Sequence, residues 1–504
     1  MQIPIALLLA TFALSIGSFM NILDSTIVNV SLSHIAGDFG VSASQGTWVI
    51  TSYAVSEAIL LPLTGWLSKR FGSVNLYIWG TLLFTLASIL CGLSTSFEFL
   101  LFSRILQGIV GACMIPLSQT LLMSIYPPDK KGLAMGIWAM TIVIAPVAGP
   151  ILGGWITDNW NWRWSFLINI PFGILSSYIV YKIFRVQLKN EVKIKAPMDY
   201  MGLIFLAVGV GALQLLLDKG NELDWFSDNY IVTLGIISFI FIGSLIIWEY
   251  YAKDPVIDVR LFLNRNFVIG VLVLCIGSTA FFSTVVVFPQ WLQNYMGYTA
   301  FNSGLATSTT SIFVIFLAPI LGAALSKVDP RKIVVFGFAW FFIVSWWGAT
   351  MNNDVTAGHI ALNRLFLGIG LACFFIPLTS ITFSNIAPKD MAGAAGISSF
   401  MRNMGNSFGT SLVIAYWDRR MATHHEYLAA SINPANPNYE SYIHTLPMQD
   451  PTTQMSYINN IINGQAAVMG INDIMLLSGL IMLALIPFVM LAKRPTHHVE
   501  GGGH

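Results

Sequence analysis

Three charged side chains sit inside otherwise apolar runs, where their types and spacing suit proton chemistry. Asp24 lies in SFMNILDSTIVNV, Glu57 in the next apolar run with Tyr53 one turn before it, and Arg104 in the fourth run at a depth comparable to Asp24. A charge at mid-bilayer costs at least about 2.5 kcal/mol, so such groups face a cavity or a partner. A carboxylate and a guanidinium whose separation changes during a transport cycle would load and release a proton. The competing readings are structural. Asp24 could hold its helix in a fixed ion pair, Glu57 could bond backbone or water, and Arg104 could rest permanently on helix-end carbonyls. Arg364, the counterpart of Arg104 in a repeat described below, has no evident acid partner. Arg402, with Asn403 and Asn406, lines a cavity or bridges helices.

Ser18, Asn21, Ser25 and Asn29 recur at helical spacing beside Asp24 and predict a polar stripe facing the bundle interior. In APVAGPILGG, Ala145, Gly149 and Gly153 are spaced by four, which lets another helix approach closely, while Pro146 and Pro150 bend the backbone and Gly154 extends the small-residue run. This face is a packing surface, and it also fits a hinge or a leak-proof seam between two halves. Aromatic residues make up 13% of the chain, which suits an apolar pocket. Trp138, Phe288, Gln290, Trp291, Phe374 and its neighbour Phe375 are candidate contributors, together with Tyr53, Asn21 and Asn29. His424, His425 and His444 fall in a stretch read as one long loop, 418–471, and match no zinc spacing, so no metal is expected. There is no GxxxxGK[ST] phosphate loop and no nucleophile elbow.

The elements that must position these residues follow from composition. Hydrophobic residues are 55% and charged residues 10% of 504, against roughly 25% charged in soluble domains, so lipid is the solvent for most of this chain. Fourteen apolar stretches are long enough to span, near 5–30, 46–66, 74–93, 97–124, 132–156, 163–185, 198–218, 229–250, 267–291, 303–325, 332–351, 356–384, 393–417 and 472–492. Runs of that length are helices, because a membrane strand needs only about 10 alternating residues. The first lacks a basic leader and an evident cleavage site and reads as a retained helix. With the N-terminus inside, inner loops hold 18 lysines and arginines and outer loops 4, which predicts both termini in the cytoplasm. A net charge of +1 without a basic face argues against nucleic acid, and four scattered cysteines read as buried small hydrophobes.

The chain also repeats itself. SRILQGIVGACMIPL (103–117) is echoed by NRLFLGIGLACFFIPL (363–378), PLTGWLSK (62–69) by PILGAALSK (319–327), and PPDKKG ending at Gly132 by PKDMAG ending at Gly393. The offsets, 257 to 261 residues, shift the pattern by eight helices. Two six-helix bundles, 1–190 and 263–495, therefore flank an inserted helix pair, 191–262, with a tail at 496–504. Both repeats start on the same side, so they are parallel repeats with the substrate path expected between them.

These motifs resemble the major facilitator superfamily, and within it the fourteen-helix drug:proton antiporters of the EmrB type. LDSTIVNV (23–30) is similar to that family's helix 1 signature, RILQG (104–108) to its helix 4 motif, and AGPILGG (148–154) to its antiporter motif. SQGTWVITSYAV (44–55), WRWSFLINIPFG (162–173) and LDKGNELDWF (217–226) match the EmrB branch. The resemblance implies an all-α major facilitator fold of fourteen helices, six plus two plus six. It implies Asp24 as proton-coupling acid with Arg104 as partner, Gly149, Pro150, Gly153 and Gly154 as antiporter-motif positions, and Gly65, Arg70 and Gly72 as the surviving cytoplasmic loop motif. The loop GWLSKRFGSV departs from GxxxDRxGRR, with Lys69 in place of the aspartate.

The implied function is export of hydrophobic or amphipathic drugs from the bacterial inner membrane, driven by protons with no cofactor. The resemblance adds an EmrA-type periplasmic adaptor and a TolC-type outer-membrane channel as partners. Two alternatives stand beside it: export of a specific metabolite such as a fatty acid or siderophore, and a membrane-embedded lipid-modifying enzyme. The enzyme reading needs clustered catalytic groups in a surface loop, and the chain shows none.

Overall fold

The computed structural model describes residues 5–127, 130–190, 197–252, 255–325, 327–430, 432–433, 442–443, 445–446 and 450–494. Its long helices are α1 (Ile5–Phe39), α2 (Trp48–Phe71), α3 (Ser73–Gly92), α4 (Phe97–Ile125), α5 (Lys131–Asn159), α6 (Trp164–Ile183), α7 (Tyr200–Lys219) and α8 (Asn229–Tyr251). They continue as α9 (Arg265–Asn294), α10 (Phe301–Ala324), α11 (Pro330–Gly348), α12 (Ala357–Thr382), α13 (Met391–Ala429) and α14 (Pro451–Met490). Thirteen are both long and apolar enough to cross a membrane. The fourteenth, α13, is too polar for that criterion, yet it packs as a spanning helix inside its bundle. A Cβ on its Gly405 would collide with the Cys275 carbonyl of α9, and one on Gly409 would lie 2.6 Å from that of Thr279. No strand occurs among the described residues. The outward faces are greasy: α8 exposes Ile236, Phe239, Ile240, Ile246 and Ile247, a surface that only lipid tolerates.

Prolines set the irregularities. Pro116 has no N–H for the Ala112 carbonyl, and α4 is interrupted at Ala112–Cys113. Pro62 leads α2 through a 3₁₀ turn, Leu61–Leu63. Pro146 and Pro150, by contrast, lie within a continuous α5. At the loop after α2, Gly72 takes φ +88°, a region that disfavours any side chain.

Glycines decide how the bundles meet. The loops after the even-numbered helices, which carry most of the basic residues, define one end of the molecule. Near this basic end a Cβ on Gly136 of α5 would lie 2.5 Å from the Ala318 carbonyl of α10, and one on Gly132 2.5 Å from that of Gly322. Gly65 of α2 abuts Gly393 of α13, where a Cβ would meet the Cα at 2.7 Å. These contacts seal the two halves together there. The small-residue face predicted as a seam between halves does something else. Gly149 fits against Thr26, and Gly153 against the Ile27 carbonyl at 2.8 Å, so this face binds α5 to α1 inside the first bundle. Pro150 and Ile151 of that motif near the other half, 3.6 and 3.3 Å from where a Gly304 Cβ would sit.

Of the inserted pair, α7 ties into the bundles while α8 packs chiefly on α7. At the end opposite the basic one, α7 is hydrogen-bonded to both bundles. Thr51 of α2 donates to Asp218, Gln214 Nε2 lies 3.1 Å from Ser407 Oγ of α13, and Asn221, just past α7, donates to the Ser411 carbonyl at 2.8 Å.

The stretch 418–471, predicted as a loop, is largely helical: α13 runs on to Ala429 and α14 begins at Pro451. Asp450 caps α14 through the Thr453 amide at 2.9 Å, with Pro451 at the first helical position. The two helices are tied by Arg420 Nε to Asp473 at 2.6 Å, His424 Nε2 to the same carboxylate oxygen at 2.7 Å, and Trp417 Nε1 to the Ala467 carbonyl at 3.0 Å. His424 is thus part of a helix-to-helix clasp rather than a solvated loop, and His425 reaches Asn459 at 3.0 Å. His444 lies outside the described residues.

Candidate functional site

Asp24 and Arg104 meet in the middle of the first bundle, both 0% exposed, with Nη1 2.5 Å from Oδ2. Both carboxylate oxygens are hydrogen-bonded. Gln107 Nε2 donates to Oδ1 at 2.8 Å and Asn169 Nδ2 donates to the same oxygen at 2.9 Å. Arg104 also donates to the Gln107 Oε1 at 2.8 Å and, through Nε, to the Val49 carbonyl at 3.0 Å. Its guanidinium carbon stands 4.3 Å from the centre of the Tyr53 ring and 5.6 Å from that of Phe166. Ser88 of α3 accepts from Asn169 at 2.9 Å and from Gln107 at 3.3 Å. Five helices, α1, α2, α3, α4 and α6, contribute to one ion pair. Such pairing and hydrogen bonding is what a charge buried in lipid requires.

A second chain of bonds leads from this pair toward the other half. Asn21 Nδ2 donates to Tyr53 Oη at 2.9 Å, Tyr53 Oη to Glu57 Oε1 at 3.3 Å, and Asn403 Nδ2 of α13 to Glu57 Oε2 at 3.3 Å. Tyr53 therefore presents its ring to Arg104 and its hydroxyl to Glu57. The RILQG run makes this approach feasible. A Cβ on Gly108 would lie 2.5 Å from the Tyr53 carbonyl, and one on Gly111 2.7 Å from Asn21 Nδ2, so glycine is what admits α4 against α2 and α1.

The remaining predicted residues divide. Asn29 is exposed, although it lies only about 20° around the helix from the buried Ser18. Trp138 is fully buried with Nε1 donating to Ser118 Oγ at 2.8 Å, which makes it a core residue and not a cavity wall. Phe288, Trp291 and Phe374 are buried in the packing of the second bundle, while Gln290, Arg402 and Asn406 are half-buried. Arg402 faces the Phe375 ring at 5.8 Å. In the loop after α2, Arg70 lies 5.5 Å over the Trp66 ring, and Lys69 pairs with Asp390 of the opposite half at 3.9 Å, both side chains partly exposed. An apolar cleft of about 380 Å³ lies between α1 and α5, lined by Phe12, Ile16, Phe19, Ile137 and Met140 among others. None of the predicted cavity residues lines it, and it lies apart from the Asp24 network.

Sequence reading did not single out Gln107, Asn169 or Ser88. Gln107 stands three residues after Arg104 and Asn169 lies in the apolar run WSFLINIPFG, so an amide inside lipid was the available signal.

The Major Facilitator Superfamily domain matches residues 14–410. The chain is 41% identical to the multidrug export protein EmrB of Escherichia coli K12 over 99% of its length and 97% of the relative's. It is 43% identical to EmrB of Haemophilus influenzae over 97% of its length and 96% of that protein's. It is equally similar, at 41% over 99% of this chain and 98% of the other, to the fatty acid resistance protein FarB of Neisseria gonorrhoeae. In three dimensions it resembles the proton:xylose symporter XylE with a TM-score of 0.58 over 95% of this chain and 96% of that one, at 16% identity, which speaks to the fold alone.

Proposed function

The chain belongs to the major facilitator superfamily, in its EmrB-type branch of multidrug exporters, and on that premise we propose that it expels hydrophobic and amphipathic compounds in exchange for protons. It is a multi-pass secondary transporter and not an enzyme. The observation that carries the proton coupling is the Asp24–Arg104 pair, sealed from solvent inside a membrane-spanning bundle.

The cycle follows from that pair and from the two halves. In the described conformer the basic end is closed by glycine contacts, and Asp24 is bonded to one guanidinium and two amides. A proton reaching Asp24 removes the charge that Arg104 neutralises and frees the guanidinium for its other acceptors, the Val49 carbonyl and Gln107 Oε1. That weakens the tie between α1 and α4 and favours the opposite facing. Glu57 is the acid that touches the second half, through Asn403, so it reports the state of the first bundle across the interface. Each proton entering gains about 2.3 kcal/mol per 100 mV, enough to bias states that differ by a few kcal/mol. No cofactor takes part in this cycle.

The basic end faces the cytoplasm in this reading, with both termini inside and the protein in the inner membrane. An EmrA-type adaptor and a TolC-type channel carry the exported compound onward. Proteoliposomes containing the Asp24→Asn variant should retain folded protein and lose efflux driven by a pH gradient; full retention of coupled efflux would sink the assignment. Co-purification from membranes holding all three components tests the tripartite assembly.

The equal similarity to a fatty acid resistance protein favours one second reading, dedicated export of a fatty acid. Susceptibility profiling of a deletion strain separates the two. Sensitivity confined to fatty acids supports the narrow reading, and sensitivity to chemically unrelated drugs supports the broad one.

A further inference from the structure

The second half of the molecule keeps the arginine of the repeat and lacks its acid. Arg364 on α12 corresponds to Arg104 on α4, and like it is buried, at 3% exposure. Where Arg104 meets a carboxylate, Arg364 meets a benzene ring: its guanidinium carbon stands 3.6 Å from the centre of Phe288 on α9. Its polar contact is to a thioether, Nη2 to Met475 Sδ at 3.4 Å, and its Nε has no hydrogen-bond partner among the described residues. Trp291 packs against Phe288, ring centres 5.3 Å apart, and is fully buried, with its Nε1–H also unpartnered among the described residues.

A buried guanidinium without a counter-charge is among the costliest groups a membrane interior can hold. An aromatic face offsets only part of that cost. Two buried donors that lack acceptors and border one ring are the complement of a small planar anion, which a guanidinium grips through parallel N–H bonds. Packing alone does not explain the arginine either, since a methionine or leucine would fill the same space without the charge.

We propose that Arg364, with the indole N–H of Trp291, receives the carboxylate head of an amphipathic substrate while its hydrocarbon body lies along the apolar wall of the second bundle. The inference rests on the exporter reading above and deepens it by naming the residues that recognise an acidic head group on a long apolar body. Phe288 covers the guanidinium when no head group is present.

The test is equilibrium binding of radiolabelled dodecanoic acid and of its methyl ester to the full-length protein in nanodiscs, at a pH where the acid is ionised. Wild-type protein should bind the acid more tightly than the ester. Arg364→Gln should lower the acid-to-ester affinity ratio by on the order of tenfold, the size of one lost charge-assisted contact. Arg364→Lys should keep part of the preference, and Trp291→Phe, which retains a ring and loses the donor, should reduce it less. Equal affinity for acid and ester in the wild type overturns the proposal, as does an unchanged ratio in Arg364→Gln. Should Arg364→Gln fail to fold, the wild-type ratio and that of Trp291→Phe decide. Failure of wild-type vesicles to expel a cationic dye against a proton gradient would instead strike at the exporter reading and leave the acid-to-ester ratio to stand by itself.

Discussion

Removing both members of the Asp24–Arg104 pair should cost less than the two single removals added together. With Asp24→Asn, the 2.5 Å ion pair is gone while Arg104 remains fully buried, holding the Val49 carbonyl at 3.0 Å and Gln107 Oε1 at 2.8 Å. Breaking a buried pair from one side costs about 3–5 kcal/mol, because a charge is left without its partner. The two retained carbonyl bonds place Asp24→Asn near the lower bound of that range. Arg104→Met leaves the buried Asp24 carboxyl with two amides, Gln107 and Asn169, and no counter-charge, and should cost a similar amount. The double variant removes both charges, so its loss should fall short of the sum of the singles by about 3 kcal/mol, a coupling energy typical of contacting groups at its upper end. Thermal or denaturant unfolding in detergent, run as a complete cycle of four proteins, measures it. None of the three variants should drive substrate uphill. A single proton at 100 mV supplies about 2.3 kcal/mol, or roughly a fifty-fold gradient of a neutral substrate, and that ratio should collapse to unity. Strict additivity of the two single losses, or a double variant that still concentrates substrate, would refute the argument from the buried pair.

Three further outcomes follow from other contacts. Gly136→Val places side-chain atoms against the Ala318 carbonyl and should destabilise the closed basic end by about 1–3 kcal/mol, which distance measurements between spin labels on α5 and α10 would show as a loss of the short-distance population. Asn403→Leu removes the bond to Glu57 across the halves and should slow coupled efflux severalfold while the melting temperature stays nearly constant, read from proteoliposome flux and a melting curve. The forked contact between Arg331 and Asp329, at 2.7 to 3.2 Å, holds the Asp329 carboxyl below its ordinary value. A lowered carboxyl favours the folded state at neutral pH and ceases to do so as pH falls through the native value, so Asp329→Asn should lower the melting temperature at pH 7 and approach the wild type only as pH falls below the ordinary carboxyl range.

Charge inside apolar sequence is rare enough to be read directly, which is why Asp24, Glu57 and Arg104 were legible and do lie in one connected network. Uncharged amides in the same runs are ambiguous, since they pack, cap or bind with equal ease, and Gln107 and Asn169 passed unnoticed. Spacing disclosed that Gly149 and Gly153 form a close-contact face, but spacing names no partner, and the partner is α1 within the same bundle. Aromatic residues carry no mark of burial, so Trp138 looked like a cavity wall until its bond to Ser118 placed it in the core. The outer parts of α13 and α14 escaped because a helix that packs along one stripe has no continuous apolar run to betray it.

The glycine contacts at the basic end have a consequence for the rate of the cycle. Where Gly132 meets Gly322 and Gly65 meets Gly393, the touching surfaces are main chain already fixed within helices. Closing a surface of long flexible side chains would freeze rotamers at up to about 2 kcal/mol for each residue, and opening it would release them again. A main-chain surface loses almost no such freedom on contact. The two facings can then interchange with little entropic difference between them at this end, leaving the choice of facing to the occupants of Asp24 and Glu57.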